Sequence, residues 1–134
     1  MLSEPLLRIL IALGLLAAGW VIFRLSNRAV LSAAASAQSS LPSSSKPKVV
    51  YFTTPDCAPC RTVQRPAIQR LKQTLGEQLD VVEINAVEQP DLARQWGVLS
   101  VPTTFILDRQ GKPLHVNHGV TQTDKLLKQV QSAL

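Results

Sequence analysis

Twelve residues, Val49–Cys60, read VVYFTTPDCAPC and constrain this chain more than any others. Val49 to Phe52 is a β-branched and aromatic run, which predicts a buried strand. Thr53, Thr54, Pro55 and Asp56 break that run. Cys57 and Cys60 follow, three apart, where helical spacing begins. Two thiols so placed on a helix's first turn can close into a small ring and reopen, which is redox chemistry. They are the only two cysteines in 134 residues. A structural disulfide framework needs more cysteines, more widely spaced. A bridge across three residues also closes too short a loop to stabilise a fold much. The pair is therefore read as chemical.

The charge of +5 is spread out: residues 46–134 hold 11 basic and 8 acidic side chains, and the first 45 hold 3 and 1. No Lys/Arg run carries interleaved aromatics, so nucleic acid is not an expected partner.

Residues 1–5 form a short flank. Leu6 to Leu25, LLRILIALGLLAAGWVIFRL, follows as a transmembrane segment that would place the lipid bilayer among the partners. With Arg8 snorkelling outward it supplies about 18 apolar residues, near the lower limit for ~30 Å of hydrocarbon. Trp20 suits the membrane interface. A cleaved signal peptide, leaving a secreted or periplasmic domain, is the competing reading. Ala35-Ser36-Ala37 resembles a cleavage site, yet fourteen residues, including Arg24 and Arg28, separate it from Phe23. Arg8 on one flank and Arg24 and Arg28 on the other leave the orientation open. Residues 26–45, Ser/Ala-rich with one proline, predict a solvated linker. The folded domain is expected over 46–134.

Within it, Val63, Ala67, Ile68, Leu71 and Leu75 predict one apolar helical face, with Pro66 kinking the helix and Gly76 ending it. Asp80–Asn85 predicts a second strand. Pro90-Asp91 opens a short helix carrying Leu92, Ala93 and Trp96, which Gly97 stops. Thr104–Leu107 predicts a third strand, Asp108–Gly111 a hairpin turn and Leu114–His118 a fourth strand. Thr121-Gln122-Thr123-Asp124 is expected to cap a last helix. The order β-α-β-α-β-β-α implies a mixed sheet with helices on both faces.

That order, with CAPC at 57–60, PDLARQWGVLSVPT at 90–103, Gly111 in the hairpin and Gly119 after the last strand, resembles the thioredoxin family. The resemblance covers Lys46 to Leu134. It implies a thioredoxin-like three-layer α/β/α sandwich with about four strands, lacking the family's first strand–helix unit. It also implies a cis Pro102 beside the cysteines, leaving the Val101 backbone free to pair with a substrate strand. The chain departs from the family where Asp56 replaces the usual Trp, and where Tyr51 and Glu83 stand in place of the buried Asp and its facing Lys.

The function expected is thiol–disulfide oxidoreduction, with Cys57 attacking a substrate disulfide and Cys60 resolving the mixed disulfide. Ala58-Pro59 is close to the Gly-Pro of reducing thioredoxins, which favours a protein-disulfide reductase over an oxidase or isomerase. No cofactor is expected beyond the Cys57–Cys60 disulfide itself, so a partner protein must supply electrons. The domain is expected to be extracytoplasmic, by family analogy. Asp56, beside Cys57, would oppose the thiolate. Glu83, if buried, would accept a proton from Cys60. A rival reading joins the cysteines to His115 and His118 as a metal site. Their odd spacing on a strand points the two histidines to opposite faces, and no metal ligand is expected.

Overall fold

The computed structural model describes residues 3–134. Of the five-residue flank, Met1 and Leu2 lie outside the described residues, and Glu4 and Pro5 open the first helix. The elements are α1 (Glu4–Ala37), β1 (Lys48–Thr53), α2 (Arg65–Leu75), β2 (Asp80–Asn85), α3 (Pro90–Gln95), β3 (Thr103–Leu107), β4 (Pro113–His118) and α4 (Thr123–Ala133). The sheet order is β2-β1-β3-β4. β1 and β2 run parallel, with Tyr51 opposite Glu83. β3 is antiparallel to both β1 and β4; Phe52 faces Thr103, and Thr103 faces His118.

Alternation along β1 divides the core in two. Val50 and Phe52 join Phe105, Leu107, Ile84, Ala93 and Trp96 on one face, under α3. Val49 and Tyr51 join Ile106, Ile68, Leu71, Leu126 and Val130 on the other, under α2 and α4. This is the period-two signature of a strand buried on both sides. On the first face Phe52, Trp96 and Phe105 pack with ring centroids 4.9–5.9 Å apart. Such tilted and edge-on pairs add about 0.5–1.5 kcal/mol each beyond area burial.

The sequence-based boundary at Lys46 does not match the structure. The stretch expected to be a solvated linker stays helical through Ala37, and Ala34 and Ala37 are buried against the aromatic cluster. Alanine is the strongest helix former, and small side chains let a helix lie close to its neighbour. A Cβ at Gly97 would meet Val30 and Ala33 at 3.6–3.8 Å, and its φ of 70° is one that side chains rarely adopt. The rear of α1 thus completes the layer begun by α3. Its front differs: Leu6 to Leu25 is apolar and exposed, long and apolar enough to cross a membrane. Arg24 lies 4.7 Å from the Trp20 ring, a cation–π contact that suits the headgroup level.

Two further expectations change. Val63 is not on the buried face of its helix; it is exposed, and Gln64 is fully buried instead. The kink expected at Pro66 takes the form of a π-turn over Cys60–Gln64, in which the Arg65 N–H reaches back five residues to the Cys60 carbonyl. Pro66 has no N–H to give Thr62, and its ring would crowd that carbonyl in a regular helix. At α4 no side chain caps the N-terminus. The Thr123 hydroxyl donates instead to the Ala67 carbonyl, 3.0 Å away, pinning α4 to α2.

Candidate functional site

β1 ends at Thr53, and the chain turns through Thr54–Asp56 into the helical segment that carries the cysteines. Cys57 and Cys60 form a disulfide with an S–S distance of 2.07 Å and a Cα–Cα distance of 5.3 Å. Their accessibility differs: Cys57 is 9% exposed and Cys60 1%. An incoming sulfur therefore meets Cys57 first. The Cys60 backbone N–H donates to Cys57 Sγ at 3.2 Å. A donor aimed at that sulfur stabilises it as a thiolate once the bridge opens, as a helix N-terminus does.

The peptide bond between Val101 and Pro102 is cis. Register places it: Thr103, the next residue, faces Phe52 near the end of β1, so Pro102 stands at the sheet end from which the cysteines emerge. The Pro102 carbonyl accepts the Gly119 N–H at 2.9 Å. Gly119 has a φ of 82°, the left-handed turn that glycine allows. The Val101 N–H and carbonyl make no hydrogen bond among the described residues. Two backbone groups at a sheet end, held open, can accept an extended peptide by strand addition.

Gln64 is a site-positioning residue that sequence reasoning missed. Its Nε2 donates to the Thr121 carbonyl at 3.1 Å, and its Oε1 accepts the Thr121 N–H at 2.8 Å. The amide thus clasps the cysteine helix to the segment after Gly119. The available signal was helical phase alone, since 64 falls in register with 60, 67, 68 and 71.

Glu83 is not buried as the proton-transfer role requires. β2 is an edge strand, and the Glu83 side chain is 42% exposed and paired with Arg65, N–O 2.6 Å. The buried member of this group is Tyr51, directly across the strand pair. Burial, and then its hydrogen bond to Glu83, push the Tyr51 hydroxyl up to about 12, so it stays protonated. Asp56 is exposed beside Cys57.

His115 and His118 reach opposite sides of the sheet. His115 Nε2 lies 3.2 Å from Ser132 Oγ on α4, and His118 Nε2 lies 3.1 Å from Asn27 Oδ1 on α1. Burial, then the nearby Lys125 charge, lowers the His115 pKa. Among the described residues no cluster of three or more His, Cys, Asp or Glu side chains could hold a metal.

The family model described as Thioredoxin matches residues 29–132, starting inside α1. The thioredoxin-like protein slr0233 of Synechocystis sp. is 35% identical over 91 residues, 68% of this chain and 85% of that protein. The chloroplastic thioredoxin Y of Oryza sativa subsp. japonica is 33% identical over 94 residues, 70% of this chain. The match spans 55% of the rice protein, about half its length. Among solved structures, Fasciola hepatica thioredoxin superposes with a TM-score of 0.60 at 20% identity, covering 69% of this chain and 85% of that one. At that identity the likeness is one of fold.

Proposed function

We propose, since this chain belongs to the thioredoxin family, that it is a membrane-anchored protein-disulfide reductase working through Cys57 and Cys60. The observation that carries this reading is the unequal exposure of the two sulfurs, with a backbone N–H aimed at the outer one. In the reduced protein the Cys57 thiolate attacks one sulfur of a substrate disulfide. That S–S bond breaks, one substrate thiolate leaves, and a mixed disulfide forms. Val101 would pair with the substrate backbone beside Pro102 and hold it extended. Cys60, deprotonated, then attacks Cys57 Sγ and releases the second substrate thiolate. Substrate gains two electrons, and the chain is left in the disulfide form described above. A dithiol protein must return two electrons before the next cycle.

Glu83 stands outside this path because it is exposed and ion-paired. Unchanged resolution kinetics in Glu83→Gln across pH are expected; pH-dependent slowing would restore it as the proton acceptor. Asp56→Asn is expected to lower the Cys57 pKa, read by thiolate absorbance.

The packing of α1 supports an uncleaved anchor over a signal peptide. Cleavage after Ala37 would remove Val30, Ala34 and Ala37, which cover the aromatic core. We place the domain on the extracytoplasmic side by analogy with anchored members of the family.

The test uses the full chain in detergent, reducing insulin with dithiothreitol as the electron source. Wild type should accelerate reduction, Cys57→Ser should abolish it, and Cys60→Ser should accumulate a mixed disulfide. No acceleration by wild type would refute the activity. A Cys57–Cys60 potential near −270 mV supports the reducing direction, and one near about −120 mV an oxidase.

A further inference from the structure

Two contacts fix how α1 lies on the sheet. Asn27, just past the exposed apolar segment, meets His118 at the end of β4. Gln38, past the helix's last turn, lies against Gly111 in the turn before β4. α1 therefore runs antiparallel to β4. β1 runs parallel to β4, because both are antiparallel to β3. The C-terminal end of β1, from which the cysteines emerge, thus points back toward Leu6–Leu25. So does the cis proline end of β3.

A second observation, independent of helix direction, marks the same end. Outside α1, five large apolar side chains are exposed among the described residues: Val63, Val87, Leu99, Val120 and Leu134. Val63 follows the cysteines, Val87 follows β2, Leu99 precedes the cis proline, and Val120 follows β4. All four sit at the site end of the sheet; only Leu134 lies elsewhere. Leu99 is 97% exposed. These side chains lie at the end of the domain that points toward Leu6–Leu25.

We propose that this end of the domain rests on the surface of the bilayer that α1 crosses. The site would then reach only disulfides carried at headgroup level by membrane-embedded proteins. The proposal rests on the anchored-reductase reading above. Asp56 and Glu88 share this end, so contact is with headgroups and not with hydrocarbon. Exposed apolar side chains interleaved with polar ones suit that depth. Because the helix continues unbroken from Leu25 into the core, no flexible joint lets the site turn away.

Two experiments on the full chain in phosphatidylcholine/phosphatidylglycerol vesicles test this. In a Cys57→Ser, Cys60→Ser background, Leu99→Cys, Val120→Cys and Gln110→Cys are spin-labelled singly. Labels at 99 and 120 should collide with a water-soluble nickel chelate at least about threefold less than the label at 110, which sits at the far end of the sheet. Equal collision rates at all three overturn the proposal. Separately, ten Gly/Ser residues inserted between Leu25 and Ser26 should free the domain. Insulin reduction by the vesicle-bound protein should then rise about tenfold, since chain tethering of this kind is flexible. An unchanged rate overturns the proposal. If neither protein reduces insulin, the reductase reading has failed, and the nickel collisions still decide how the domain lies.

Discussion

The two faces of the sheet are held by different chemistry. Under α1 and α3 the buried contacts are apolar, three aromatic rings roofed by alanines of α1, and the His118–Asn27 hydrogen bond lies exposed at the rim. Under α2 and α4 an aliphatic centre is ringed by hydrogen bonds. Gln64 grips Thr121, Thr123 holds Ala67, and Asn117 exchanges two bonds with Gln129. The first face joins the domain to α1 by shape. The second sets where the cysteine helix sits, by direction. Non-directional burial suffices for attachment, whereas placing a sulfur requires bonds with angles.

The harshest challenge to this contrast is to unroof the first face. A chain starting at Lys46 should lose cooperative unfolding, while one starting at Ser26 should keep it in denaturant titrations. Uncovering ~200 Å² of aromatic surface costs about 5 kcal/mol, comparable with a small domain's whole stability. Equal midpoints for the two chains would show that α1 is only a neighbour.

On the second face, the pH response is the next largest effect. Tyr51 is the chain's one tyrosine, so absorbance near 295 nm reads it alone. Its folded pKa of about 12 lies above the unfolded value near 10. Its contribution is full below about pH 10 and is lost as pH climbs toward 12, by about 2–3 kcal/mol in all. Tyr51→Phe should flatten stability over that window relative to wild type.

Gln64→Leu should cost about 1–3 kcal/mol, because the Thr121 N–H is left buried without an acceptor. It should also slow insulin reduction more than a mutation of equal cost on the aromatic face. A loss of stability without any loss of rate would blunt the distinction drawn here. Smallest is Thr104→Val, at the sheet's centre. The Thr104 hydroxyl is buried without a partner among the described residues, so the swap should raise stability by about 1 kcal/mol, read in denaturant titrations.

Much of this was legible in the chain. Four strands, three helices of the folded part and the cysteine turn follow from period-two and period-3.6 apolar patterns, and those patterns record burial directly. What stayed hidden has a common cause. Ala34 and Ala37 pack by being small, and a Ser/Ala run shows no apolar period to betray it. Gln64 is core by hydrogen bonding, so a hydrophobic pattern passes it over. Glu83 was placed beside the cysteine strand, but its exposure depends on β2 having no outer neighbour, which only the assembled sheet reveals.

The unbroken path of α1 from open apolar surface into packed core converts length into angle. One residue added between Leu25 and Asn27 would swing everything beyond by about 100° and lift it by about 1.5 Å. Seven added residues would restore nearly the original bearing, roughly 10 Å further out. In this architecture, residues that continue the helix there act as turns of a screw, and only a helix-breaking Gly/Ser insert acts as slack.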